Sequence, residues 1–355
     1  MFLGRESKRT RIIAIVGFIL AFGLTYKLIF LTTPVSKDTA IVVNLESRNH
    51  DSLGHPESSL RIRAIVDELK KQNLWNSVER INGRKATNTE LKLFHDFEYI
   101  QRVEAWSKKS SELRISKWSP YFKEASYLAA STAVGSLIEL TEKVALGKYK
   151  NGFAIVRPPG HHATREKAIG FCIFNNVAIA AKNLIHKGLA QRVLIVDIDA
   201  HFGNGTADAA LEESNIFYIS LHQKYLKFKS MKDSGNSIGI DLNFQSNEKD
   251  YLKHLNSALE AMGQSNFHPD FVLVSAGYDA HWRDYMSVLN LSNEGYTEIS
   301  KTLIQFASEK TQGKIVFSLE GGYDLQALGL GVSNTIKALL GRSDFIDNMG
   351  SLDQE

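Results

Sequence analysis

One stretch constrains this chain more than any other. Val193-Leu194-Ile195-Val196 is a short apolar run, mostly β-branched, and it ends in Asp197-Ile198-Asp199-Ala200-His201-Phe202-Gly203-Asn204-Gly205-Thr206. Such a run reads as a strand buried on both faces of a parallel sheet. Two aspartates and a histidine at the end of a buried strand need something to satisfy them. Asp197, Asp199 and His201 alternate, so in extended backbone their side chains leave on one side. Gly203 and Gly205 then allow a sharp turn. Open α/β sheets place ligands at the carboxyl ends of their strands, and an oxygen–nitrogen donor set there suits a zinc-like cation with an open position. Read alone, the same residues could be solvated caps on a turn.

The rest of the chain repeats the pattern. Segments 40–45, 153–156, 192–198, 216–221, 271–276 and 314–319 read as strands. Helical spacing fills 61–72, 121–146, 176–187, 248–262 and 294–312, and Gly188, Gly263 and Gly313 close the last three. Alternating strands and helices predict a three-layer α/β/α sandwich around a central, mostly parallel sheet.

Polar clusters follow these strands. After 153–156 comes Arg157-Pro158-Pro159-Gly160-His161-His162-Ala163. Two adjacent imidazoles resist both being charged, so their pKa values separate and leave one as a base and one as an acid. After 271–276 comes Gly277-Tyr278-Asp279-Ala280-His281, whose Asp279 could complete a metal site or simply cap a helix. After 314–319 comes Glu320-Gly321-Gly322-Tyr323-Asp324, which suits a phenol at a site or a plain turn. Each cluster is weak alone. Together, at the ends of parallel strands, they share one rim.

Charge and cysteine content narrow the chemistry. The net charge is +3, but residues 1–37 hold Arg5, Lys8, Arg9, Arg11, Lys27 and Lys37 against Glu6 alone, so the remainder carries −2. That body has no basic excess for direct nucleic-acid binding. Cys172 is the single cysteine, which excludes an internal disulfide and a cysteine-based zinc site. Any metal falls to His, Asp or Glu.

Residues 1–11 form a basic tail. Residues 12–31 are apolar apart from Lys27, and twenty helical residues span roughly 30 Å, one hydrocarbon core. This predicts a transmembrane signal anchor, with a cleaved secretory signal as the alternative. The preceding cations predict a single-pass membrane protein whose catalytic domain lies on the non-cytoplasmic side. A linker at 32–38, a catalytic domain at 39–345 and a tail at 346–355 complete the expected organisation.

Taken in order, RPPGHHA (157–163), GFCIFNNVAIAA (170–181), VDIDAHFGNGT (196–206), ISLHQ (219–223), SAGYDAH (275–281) and LEGGYD (319–324) resemble the zinc-dependent histone deacetylase and acetylpolyamine amidohydrolase family, nearest its class II branch. The resemblance runs from about His55 to Leu340. It implies the arginase/deacetylase fold and a zinc-dependent amidohydrolase that removes acetyl or other acyl groups from lysine side chains of proteins or peptides. It makes Asp199, His201 and Asp279 the zinc ligands and His161 and His162 the tandem general base and acid. Asp197 and Asn204 become the partners of that pair, and Tyr323 the oxyanion donor. Asp197, Asp199, His201, Ser220 and Leu221 match a potassium site, and Gly170, Phe171 and Gly321 the substrate tunnel.

The departures bear on specificity. Phe202 stands where the family usually has a second histidine. The loop after His222 is basic (Lys224, Lys227, Lys229, Lys232), and Tyr225 and Phe228 are candidates for the second tunnel aromatic. The rim aspartate expected before Ser119-Pro120 is absent, with Lys117 nearby. A basic rim disfavours acetylpolyamines and histone tails and favours neutral or acidic acyl-lysine contexts. A binuclear manganese ureohydrolase would want a carboxylate where Gly203 stands. A catalytically inactive, membrane-anchored acyl-binding module is the other alternative, although it would be expected to lose a ligand or Tyr323.

Overall fold

The structure is a computed structural model that describes residues 38–347, apart from 110, 115, 117 and 225–234, together with Met349. Eight strands form its main sheet: β1 (Thr39–Val43), β2 (Glu79–Ile81), β5 (Asn151–Ile155), β6 (Val193–Asp197), β7 (Ile216–Gln223), β8 (Ser237–Leu242), β9 (Phe271–Ala276) and β10 (Ile315–Leu319). Their spatial order is β2-β1-β5-β10-β9-β6-β7-β8, with every pairing parallel. A short antiparallel pair, β3 (Leu113–Arg114) and β4 (Tyr121–Phe122), stands apart.

Helices cover both faces: α1 (Ser59–Lys71), α2 (Asn88–Leu91), α3 (Phe97–Ser107), α4 (Ser126–Ala145), α5 (Asn176–His186), α6 (Asn204–Glu212), α7 (Glu248–Gln264), α8 (Asn293–Lys310) and α9 (Leu325–Leu339). Strand periodicity sorts the core. Leu194 and Val196 of β6 pack in one cluster with residues of α1, α7, α8 and α9. Val193 and Ile195 pack in the other, with α3, α4, α5 and α6. These are the three layers expected, with helices burying both faces of a parallel sheet.

The topology also brings the polar clusters together. β5 and β6 are successive strands of the sheet in sequence, yet β10 and β9 lie between them. The four strands followed by the polar clusters are therefore contiguous, β5-β10-β9-β6. Their ends are level, with Asp197 opposite Ser275 and Leu319 opposite Ala276.

Several boundaries differ from the sequence expectation. The helix expected from Tyr121 begins only at Ser126, because Tyr121 and Phe122 form β4 and the Tyr121 hydroxyl donates to the buried His50 carbonyl at 2.8 Å. Gly188 (φ 65°) and Gly313 (φ 83°) do follow helix ends in the left-handed region. Gly263 does not: α7 runs through it, and Asn266 (φ 60°) takes the left-handed conformation. Gly205 is not a turn but lies inside α6, where an added Cβ would collide with the Ala163 carbonyl.

The membrane placement is corrected. Among the described residues no helix is long and apolar enough to cross a membrane. The longest, α4, is a core helix that still carries Glu139, Glu142 and Lys143. The segment 12–31, on which a single-pass anchor and a non-cytoplasmic catalytic domain rested, lies outside the described residues.

Candidate active site

β6 ends at Asp197, so Asp199 and His201 sit in the loop beyond it rather than on the strand itself. Asp279 lies in the loop after β9. His201 Nδ1 is 3.0 Å from Asp199 Oδ1 and 2.8 Å from Asp279 Oδ2. One donor atom from each of the three residues falls within 4.8 Å of the others. The other carboxylate oxygens are already used: Asp279 Oδ1 accepts from Ala200 N (2.9 Å) and Asp199 Oδ2 from Gly321 N (2.9 Å). Both carboxylates are buried, and they push the His201 imidazole well above its usual pKa despite the opposing effect of burial. Two buried carboxylates converging on one imidazole nitrogen fit a divalent cation of zinc type. A Cβ on Gly321 would lie 2.6 Å from an oxygen of each carboxylate, so only glycine leaves that space open.

The loop after β5 brings the two histidines beside this cluster, with ring centroids 4.1 Å apart. His161 Nδ1 is 3.0 Å from Asp197 Oδ2, and His162 Nδ1 is 2.9 Å from Asn204 Oδ1. Their pKa values move in opposite directions. Burial disfavours the His161 cation, but Asp199 and then Asp197 outweigh it and push the group up to about 10. Burial pushes His162 down to about 3, and the charges of His161 and His201 add to the effect.

The Glu320–Tyr323 loop closes the far side. The Tyr323 ring meets Phe171 edge-on at 5.6 Å, and burial raises its phenol well above 10, so it is a hydrogen-bond donor at neutral pH. Gly170, with φ 59°, passes so close to His162 that a Cβ would lie 2.5 Å from the imidazole. A cavity of about 160 Å3 joins these residues: His161, His162, Gly170, Phe171, Asp199, His201, Asp279, Gly321 and Tyr323 all line it, with Trp118, Pro159, Cys172 and Met286. Two larger surface grooves, of about 770 and 850 Å3, lie elsewhere, and neither contains a metal-ligand cluster.

Other expected residues fall into three groups. Ser220 lies opposite Asp197 on β7, with Leu221 next to it, so the residues matched to potassium are neighbours. Phe202 packs on His222, with ring centroids 4.8 Å apart. Lys117, Tyr225, Lys227, Phe228, Lys229 and Lys232 lie outside the described residues.

The structure adds residues that the sequence did not single out. Tyr218 donates to Asp197 Oδ2 at 2.8 Å and accepts from Gly203 N at 3.1 Å. Glu320 Oε2 accepts from Gly160 N (2.6 Å) and His161 N (3.1 Å), tying the histidine loop to β10; burial pushes its carboxyl up to about 7. Arg157 meets Glu57 through two bonds, Nε to Oε1 at 2.7 Å and Nη2 to Oε2 at 2.8 Å, both residues buried. Arg157 and Glu320 stand in the RPPGHHA and LEGGYD motifs, but their roles, like those of Tyr218 and Glu57, come only from the partners that the fold brings to them.

Comparison with known proteins gives the family. A family model described as "Histone deacetylase domain" matches residues 55–339. The rice protein "Histone deacetylase 10, chloroplastic" is 34% identical over 343 residues, covering 87% of this chain and 77% of its own. "Histone deacetylase 4" of Caenorhabditis elegans is 32% identical, covering 90% of this chain but only 40% of its own length. Among solved structures, the "HDA15 HD domain" superposes with a TM-score of 0.79 at 31% identity, covering 89% of this chain and 91% of that one. The chain belongs to the histone deacetylase family and is a deacetylase of the hydrolase class.

Proposed function

We propose that this protein hydrolyses the amide of acetylated, or otherwise acylated, lysine side chains in proteins or peptides, using a zinc ion held by Asp199, His201 and Asp279. The observation that carries the proposal is the convergence of that trio, the paired histidines and Tyr323 on one small, largely buried cavity. Acetylpolyamines are the secondary substrate class. When bound, the ion supplies Lewis-acid polarisation of the acyl carbonyl, lowers the pKa of a water to roughly 7, and cancels the Asp199 charge that favours the His161 cation.

The remaining chemistry belongs to the protein. Of the two histidines, His162 rather than His161 takes the part of the base: it is neutral and can accept the proton of the attacking water at Nε2, because its Nδ1 faces the Asn204 amide. His161 sits between Asp197 and the cavity; Asp197 orients its ring and favours its cation, so it can steady developing negative charge and supply a proton to the departing amine. Tyr323 donates its phenol hydrogen to the oxyanion as the carbonyl becomes tetrahedral. Phe171 provides an apolar wall for the methylenes of the lysine stem. The same cluster of residues around Asp197, Ser220 and Leu221 is proposed to hold potassium.

The test is release of acetate from an acetyl-lysine peptide by the purified protein, with the free lysine product identified. Turnover supports the proposal. Saturable binding of the peptide without turnover would support an inactive acyl-binding module instead.

A further inference from the structure

We propose that Asp284 is a positioning residue for Tyr323: its buried carboxylate fastens the loop that carries Tyr323 to the loop that carries Asp279, and so sets where the phenol lies. The proposal rests on the reading of Tyr323 as the oxyanion donor.

Asp284 lies five residues beyond Asp279, is 5% exposed and does not line the cavity. Its Oδ2 accepts from Tyr323 N at 2.5 Å and from Asp324 N at 3.0 Å. Its Oδ1 accepts from Met286 N at 3.0 Å, and its own N–H donates to the His281 carbonyl at 2.8 Å. One carboxylate thus holds the backbone of two residues, Tyr323 and Met286, that line the cavity. The neighbouring side chains tighten the same junction. Arg283 Nε is 3.3 Å from Asp324 Oδ2, while Asp324 Oδ1 caps α9 through Gln326 N and Ala327 N.

The loop needs such a fastening. Gly321 and Gly322 precede the tyrosine; without a Cβ they restrict the backbone little, and Gly322 takes φ 118°, a conformation that other residues rarely adopt. On its other side the loop is held by Arg61 Nε, which donates to the Gly322 carbonyl at 2.7 Å. An oxyanion donor acts only if it is already placed where charge develops. A displacement of about 1 Å can cost on the order of 100-fold in rate. Three backbone N–H groups gathered by one acidic side chain are the means by which this fold limits that displacement.

A double-mutant cycle separates positioning from general support of the fold. Asp284→Asn keeps the shape but replaces one acceptor oxygen by a donor facing N–H groups. It is expected to lower kcat by roughly 10- to 100-fold with KM changed less than about threefold and zinc content unaltered. In a Tyr323→Phe background, the same substitution is expected to cost less than about threefold more. An equal fold-loss in both backgrounds, or an unchanged kcat in the single variant, overturns the proposal while leaving Tyr323 as the donor. If Tyr323→Phe alone leaves kcat unchanged, the oxyanion reading itself fails, and this proposal with it. Asp284→Ser, which retains one acceptor, carries the same cycle if the asparagine variant does not fold.

Discussion

The imidazole of His162 faces an amide: its Nδ1 is 2.9 Å from Asn204 Oδ1. The adjacent His161 faces a carboxylate, Asp197. Burial, with the charges of His161 and His201, keeps His162 the neutral member of the pair, and the amide orients its ring without bringing a negative charge that would reverse this. Asn204→Asp should therefore raise the pKa of His162. A base must be unprotonated to act, so the acidic limb of the kcat/KM profile should move to higher pH. Profiles of the two proteins measured with one peptide check this, and an unmoved limb would detach His162 from proton abstraction.

Tyr323→Phe should lower kcat by roughly 10²–10³ while zinc content stays the same, since it removes one donor that acts in the transition state. The Phe171 contact is apolar and survives the change. Parallel kinetics and metal analysis read both quantities.

The Glu57–Arg157 pair predicts a stability effect away from the reacting atoms. Burial opposes ionisation of Glu57, but Arg157, then Arg61 and His50, outweigh it and hold the group at about 2. Its folded value lies below its unfolded one, so its contribution is complete above about pH 4.5 and lost as pH falls toward 2. The difference corresponds to about 3 kcal/mol at most. Glu57→Gln should be less stable at pH 7, because it leaves the buried Arg157 without its anion, and its stability should vary less between pH 4.5 and 2. Urea midpoints across that range measure it; parallel curves for the two proteins would contradict the assignment.

What is legible in the sequence divides along physical lines. β6, β7, β9 and β10 are buried on both faces, so their sequences are continuous apolar runs and their polar ends stand out. β2 (Glu-Arg-Ile) and β8 (Ser-Ile-Gly-Ile-Asp-Leu) are edge strands, partly exposed, and carry no such run. α6 was hidden behind Gly203 and Gly205, which look like a turn; the second is glycine because Ala163 comes too close for a side chain. Asp199 and His201 stand out through their alternation with Ile198 and Ala200, although the strand itself stops at Asp197, and Asp279 through the polar cluster that follows β9. The roles of Tyr218, Glu320 and Asp284 are not legible in the sequence, because each acts on a partner that only the fold supplies. The basic rim rests mostly on residues outside those described, with Lys224 the exception.

Asp199, His201 and Asp279 are proposed to hold a catalytic zinc ion. Zinc per protein molecule and deacetylation of an acetyl-lysine peptide, measured on the same preparations of the native protein and Asp279→Ala, test it most directly. Close to one zinc and steady turnover are expected for the native protein, and loss of both in the variant. Full zinc occupancy in Asp279→Ala, or turnover that persists after the metal is stripped, would contradict it.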